Sequence, residues 1–224
     1  MSRAVTYEKF GGPEVLELRN VPEPHAGPSE IRIRVAAVGL NPMDPAFAAM
    51  PELAAINLSS KDTVLVGGAA GGVGVFVVQL ARLAGATVIG TASEGTFPFL
   101  SDLGAQPVAY GAGLEDRVRA AAPEGITAAI DLFGTETIET ALALGVSPDR
   151  IAAIAAGPTP PGGARAVLAG AAPPEAVPQI AAAIVAQEVT VPIAATFPIE
   201  QISEAATLQA GRHVHGKIVV TLRR

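Results

Sequence analysis

At 224 residues, half of them hydrophobic and 16% charged, the chain has the composition of a globular protein with one large domain or two small ones, not of a disordered segment. The absence of cysteine excludes disulfides, a thiol nucleophile and a cysteine-built zinc site. A net charge of −6 without a lysine/arginine cluster argues against a nucleic-acid partner. No apolar run reaches the roughly 18 residues that cross a bilayer, and the opening MSRAVTYEKF lacks a signal-peptide core, so no membrane association and a cytoplasmic location are expected.

In chain order, residues 3–8 and 15–21 read as strands flanking a turn at Gly11-Gly12-Pro13. Residues 30–38 alternate Ile31, Ile33 and Val35 with Arg32 and Arg34, which predicts a third strand with one buried face. From residue 63 the pattern changes. Short apolar strands are predicted at 63–66, 87–90, 107–110, 128–132 and 150–155, with an edge strand at 164–169. Helix-length segments at 73–83, 96–103, 114–122 and 136–144 separate them. Strand and helix alternating at this spacing predict a doubly wound parallel α/β sheet covered on both faces. A helix at 174–187, a strand at 189–197, a helix at 199–209 and a strand at 217–222 complete the chain, and the Met and Phe residues read as core.

The stretch Thr63-Val-Leu-Val-Gly-Gly-Ala69-Ala70-Gly71-Gly72-Val73-Gly74 joins a buried strand to an apolar helix through a small-residue turn. A pyrophosphate needs bare backbone N–H groups at a helix N-terminus, where the helix dipole favours negative charge. Gly71 and Gly72 let the backbone approach, and Gly74 lets the helix pack on the strand. Ala69 stands at the first position of G-x-G-x-x-G, so the motif is an A-x-G-x-x-G variant. The strand before it and the helix after it make this a dinucleotide-binding Rossmann reading. Where an NAD-preferring domain places Asp or Glu at the end of its second strand, this chain has Ala92-Ser93-Glu94-Gly95. Ser93 suits a 2′-phosphate and Glu94 opposes one; NADP is expected, with NAD open.

Other polar residues read more plainly. His213 and His215 form a His-x-His pair with no third ligand nearby, so surface positions are expected and no metal site. Asp131 ends a buried strand, where ligands gather in doubly wound sheets, and is expected rather to cap the next helix; Arg212 and Lys217 read equally as contacts to a cofactor phosphate or as surface charges. Neither Tyr7 nor Tyr110 is well placed as a proton donor.

These residues resemble a known family. Ala4-Val5 with Phe10-Gly11-Gly12-Pro13-Glu14-Val15-Leu16, Val38-Gly39-Leu40-Asn41-Pro42-Met43-Asp44, the 69–74 turn, Leu103-Gly104-Ala105, Asp131-Leu132-Phe133-Gly134 and Gly211-Arg212-His213-Val214-His215-Gly216-Lys217 are similar to zinc-independent quinone oxidoreductases of the medium-chain dehydrogenase/reductase superfamily. The resemblance implies hydride transfer from NADPH to an enone, a quinone or an aldehyde. It implies that Asn41 lies near the nicotinamide, that Ala70, Gly71, Gly72 and Val73 line the pyrophosphate site, and that Ser93 and Tyr110 lie near the adenosine 2′-phosphate. It further implies a Rossmann domain at 61–187 and a GroES-like substrate domain at 1–60 and 188–224. That second domain is short: only residues 45–60 separate Asp44 from the run-in to the Rossmann strand. Roughly 70 to 90 residues fewer than the family pattern are present, with the break near 54–56. Such a reduced half-barrel leaves apolar edges open, so a homodimer is expected, joined along the Rossmann edge near 150–169. It also keeps a second function class in view: a non-redox dinucleotide-binding module, or a lyase or cyclase on the same fold.

Overall fold

The computed structural model describes residues 1–40, 56–167, 173–211 and 214–222. In chain order the strands are β1 (Ser2–Thr6), β2 (Glu17–Val21), β3 (Ala37–Leu40), β4 (Thr63–Gly67), β5 (Thr87–Ala92), β6 (Gln106–Ala109), β7 (Ala128–Asp131), β8 (Ile151–Ala153), β9 (Arg165–Ala166), β10 (Ile193–Pro198) and β11 (Lys217–Thr221). The α-helices are α1 (Gly74–Leu83), α2 (Phe97–Asp102), α3 (Leu114–Ala121), α4 (Glu136–Ala143), α5 (Ala176–Val185) and α6 (Ile202–Ala210). The chain forms two compact units: Asp44–Pro192, and Met1–Met43 together with Ile193–Arg224.

The larger unit is a six-stranded sheet in the order β6-β5-β4-β7-β8-β9, every neighbouring pair parallel. Its central strands carry uninterrupted apolar runs because both faces are covered. Val64, Val66, Val88, Ala128, Ile130 and Ala152 share one core with residues of α1 and α5, whereas Leu65, Ile89, Ala129, Ile151 and Ala153 share the other with residues of α3 and α4. The period of two thus sorts side chains between two helical layers rather than between core and water. Gln79, buried in α1, ties down the segment after α5: its Oε1 accepts from the Thr190 N–H at 2.8 Å and its Nε2 donates to the Thr190 carbonyl at 3.0 Å.

The smaller unit contains the antiparallel pair β1-β2 and a three-stranded sheet ordered β10-β11-β3, with β10 parallel and β3 antiparallel to β11. Ile199, Ile202, Ala205, Ile218 and Val220 form its core. The expected strand at 30–38 is a correction: only Ala37–Leu40 is strand, and Ile31 and Ile33 are 83% and 70% exposed. Alternation produces a strand only where a neighbour takes up the backbone groups, and residues 31–35 pair with no strand among the described residues. Not every Phe is core either: Phe10 and Phe133 are exposed, while Phe76 in α1 is buried. Among the described residues no helix is long and apolar enough to cross a membrane.

At the N-terminal edge of the large sheet, just before β4, the Asp62 carboxylate accepts from the Ser59 N–H at 2.7 Å, the Ser59 hydroxyl at 2.9 Å and the Thr127 hydroxyl at 2.7 Å, and pairs with Arg150. Arg150, just before β8, also donates to the carbonyls of Ile56 and Asn57. Burial acts to raise the Asp62 pKa, but the hydrogen bonds from Thr127, Ser59 and Arg150 outweigh it and hold the value at about 2 instead of 3.8. A carboxylate depressed in the folded state contributes stability that is present above its unfolded value and is lost as pH falls through the folded one. Denaturant titrations stepped down to about pH 2 are therefore expected to show stability falling below the ordinary carboxylate pKa. Asp62→Asn should flatten that decline, and equal slopes in both proteins would count against the network.

Candidate functional site: a dinucleotide cradle at the head of α1

β4 delivers the chain into the turn at residues 67–73 and so to α1. Gly68 carries the sharp bend: its φ is +68°, a left-handed conformation in which a side chain is strained. Ala69 has an ordinary backbone, which explains how alanine stands at the first motif position. Its methyl group is fully buried, and a Cβ at Gly90 would come within 2.8 Å of it, so a glycine on β5 makes the room that Ala69 needs. At Gly74 a Cβ would collide with the carbonyl oxygens of both Gly68 and Ala69. The helix therefore starts in direct contact with the turn's own backbone.

Two hydrogen bonds fix the turn to β5. The Gly68 N–H donates to Thr91 Oγ1 at 3.1 Å, and the Ala69 N–H donates to the Thr91 carbonyl at 3.2 Å. Within the turn, Gly71 N–H donates to the Gly68 carbonyl at 3.0 Å. The carbonyls of Gly71 and Val73 accept from Val75 and Val77 as α1 begins. Among the described residues, the N–H groups of Ala70, Gly72, Val73 and Gly74 have no partner. Four open donors at the head of a ten-residue helix with no acid in its first turn form an anion cradle.

The other expected residues distribute as follows. Ala70, Gly71, Gly72 and Val73 all lie in the turn. Ser93 directly follows β5 and is exposed, with its Oγ 3.0 Å from Thr96 Oγ1. Tyr110 directly follows β6 and is 58% exposed. Both stand at the C-terminal edge of the parallel sheet, where ligands bind in doubly wound folds. Asn41 lies outside the described residues, as does His213 and the stretch 54–55 of the expected break. Asp131 caps α4: its carboxylate accepts from Phe133 N–H at 2.9 Å, Gly134 N–H at 2.7 Å and Thr137 N–H at 3.1 Å.

Three positions that the sequence reading passed over shape this edge. Gly68 makes the bend, Thr91 holds it, and Arg117 of α3 organises the loop after β6. Arg117 Nε donates to the Ala109 carbonyl at 2.8 Å, Nη1 to Ala112 at 2.9 Å, and Nη2 to Gly111 at 2.8 Å and Tyr110 at 3.3 Å. Gly111 N–H in turn donates to Glu136 Oε1 at 2.8 Å. A threonine inside an otherwise apolar strand was the one sequence signal available for Thr91.

The fold and this cradle are those of a Rossmann-type dehydrogenase, and residues 72–210 match the family described as zinc-binding dehydrogenase. The chain belongs to that family, within the medium-chain dehydrogenase/reductase superfamily, and its fold is quinone oxidoreductase-like. It is similar to prostaglandin reductase 1 of Rattus norvegicus, with 38% identity over 117 residues, 47% of this chain and 35% of that protein. The chain thus matches about a third of the length of that curated relative. Among solved structures, the quinone oxidoreductase from Coxiella burnetii superposes with a TM-score of 0.79 at 20% identity, covering 99% of both chains. A mycobacterial protein complexed with NADPH superposes with a TM-score of 0.79 at 18% identity, covering 98% of this chain and 99% of that one.

The family description implies zinc, but the donor set does not suit it. The chain has no cysteine and three histidines, and no group of three or more His, Cys, Asp or Glu residues converges among the described residues. A dinucleotide, by contrast, fits the open amides of residues 70–74. Gly74→Ala is expected to lower stability by about 1–3 kcal/mol, because the methyl group has backbone oxygen on its path and nowhere to move. A thermal melt of the variant checks this; an unchanged midpoint would mean that the turn and α1 separate easily.

Proposed function

We propose that the chain is an oxidoreductase that binds a nicotinamide dinucleotide and reduces a small enone, quinone or aldehyde without a metal. The observation that carries this reading is the set of four unpartnered N–H groups at the head of α1, held by Thr91 at the C-terminal edge of the parallel sheet. Family membership supports it, as do the reductase and oxidoreductase names of the relatives and the NADPH bound by the mycobacterial neighbour. When bound, a reduced nicotinamide supplies a hydride. The chain's own part is to hold and orient. The amides of Ala70, Gly72, Val73 and Gly74 take the pyrophosphate, and the Thr91 bonds keep those amides in place before the ligand arrives, so little ordering is needed on binding. By the resemblance, Asn41 stands beside the nicotinamide. The reading includes a homodimer along β9, which pairs only with β8 among the described residues.

Which of the two dinucleotides is used depends on the residues at the end of β5. The short connection between Asp44 and β4 favours a second reading, a dinucleotide-binding module or a lyase or cyclase without net redox turnover. Incubating the purified chain with NADH or NADPH and a panel of enones, quinones and aldehydes separates the two. Loss of nicotinamide absorbance that requires both partners, and that Gly74→Ala suppresses, is the expected result. Dinucleotide binding with no acceptor-dependent consumption would replace the first reading with the second.

A further inference from the structure

We infer that the adenosine end of this site selects a ribose 2′-hydroxyl over a 2′-phosphate, so that the chain uses NADH in preference to NADPH. The inference rests on the reading of the site as a nicotinamide dinucleotide cradle and names which dinucleotide it takes.

Position comes first. Thr91 on β5 is hydrogen-bonded to the phosphate turn, and Ser93 and Glu94 follow two and three residues later, leaving the C-terminal edge of the sheet. At about 3.3 Å per extended residue, Glu94 lies on the order of 10 Å along the chain from Thr91, and it stands about 20 residues after the turn, the spacing at which such domains place the group that meets the adenosine ribose.

The hydroxyl of Ser93 is already committed. Thr96 Oγ1 donates its proton to the Ser93 carbonyl at 2.5 Å. With that proton used, the 3.0 Å contact between the two hydroxyls requires Ser93 Oγ to be the donor. Ser93 therefore offers its surroundings lone pairs only. Glu94, beside it, is exposed and offers a carboxylate, also an acceptor. A ribose 2′-hydroxyl is a donor and suits both groups. A 2′-phosphate is an acceptor carrying negative charge, and finds neither a free proton nor a cation at Ser93 and Glu94.

The cations of the large unit do not repair this. They are Lys61, Arg82, Arg117, Arg119, Arg150 and Arg165. Lys61 and Arg150 stand just before strands β4 and β8, at the opposite edge, and Arg165 lies on the edge strand β9, four strands away from β5 in the sheet. Arg82, near the end of α1, donates to the Leu103 carbonyl, and Arg119 pairs with Glu115. Arg117 alone reaches the C-terminal edge, and four of its five N–H groups are spent on the carbonyls of residues 109–112. The next charged group at that loop is another carboxylate, Glu136 on Gly111 N–H.

Calorimetric titration of the full chain with NADH and with NADPH tests the inference, together with Glu94→Lys and Thr96→Val. Glu94→Lys removes the repelling charge and adds a cation at an exposed position, and Thr96→Val releases the Ser93 proton. The wild type is expected to bind NADH at least about tenfold tighter than NADPH. Glu94→Lys should narrow or reverse that ratio, and Thr96→Val should strengthen NADPH while leaving NADH unchanged. NADPH binding as tight as NADH in the wild type, or a ratio that neither variant moves, overturns the inference. Binding of neither dinucleotide by the wild type overturns the reading of the site itself, and this inference with it.

Discussion

The carbonyl oxygens of Gly68 and Ala69 occupy the space into which any side chain at residue 74 would project. This contact sets how closely α1 can start behind β4, and most of the site follows from it. With the helix seated against the turn, the first amides of α1 have no carbonyl partner among the described residues. With Gly68 bent left-handed and both its N–H and that of Ala69 bonded to Thr91, the turn cannot relax to satisfy those amides internally. Unmet hydrogen-bonding capacity is costly when left dry, and an anion satisfies it at the place where the helix dipole favours negative charge.

The two edges of the large sheet carry different loads. At the N-terminal edge, Asp62, Arg150, Ser59 and Thr127 form a closed network in which both oxygens of the Asp62 carboxylate have donors, and the strands there start from a fixed frame. At the C-terminal edge, groups that could close on one another are instead held apart by specific partners: Thr91 takes the turn, Asp131 takes the start of α4, and Arg117 takes the loop after β6. The donors left over are backbone amides, and the side chains left over at the end of β5 are acceptors. On the proposed reading, a dinucleotide's pyrophosphate and its ribose meet chemically opposite surfaces.

Much of the larger unit was legible in the sequence because both faces of its sheet are buried. Runs such as Val64-Leu65-Val66 and Ala128-Ala129-Ile130 are apolar without interruption, and the helices between them keep their spacing. The strand expected at 30–38 fell short for the converse reason, since only Ala37–Leu40 is strand. Its alternation of Ile and Arg states what one partner would need, and the partner is a matter of the rest of the fold. The pyrophosphate turn could be read from its glycines, but Gly68, which carries the left-handed bend, was given no role there. The partner that holds Gly68 is Thr91, and the room for Ala69 is made by Gly90, both beyond the whole of α1 in sequence. Arg117 stayed hidden because an arginine on an amphipathic helix looks like a solvated charge until its carbonyl partners are seen.

The claim on which the rest depends is that the turn amides are the pyrophosphate donors. Amide-resolved NMR titration of the full chain with NADH measures this most directly. The account predicts that the largest shifts fall on Ala70, Gly72, Val73 and Gly74, with smaller ones at Gly68 and Thr91. Shifts centred elsewhere on the chain, with the 70–74 amides unmoved, would contradict it.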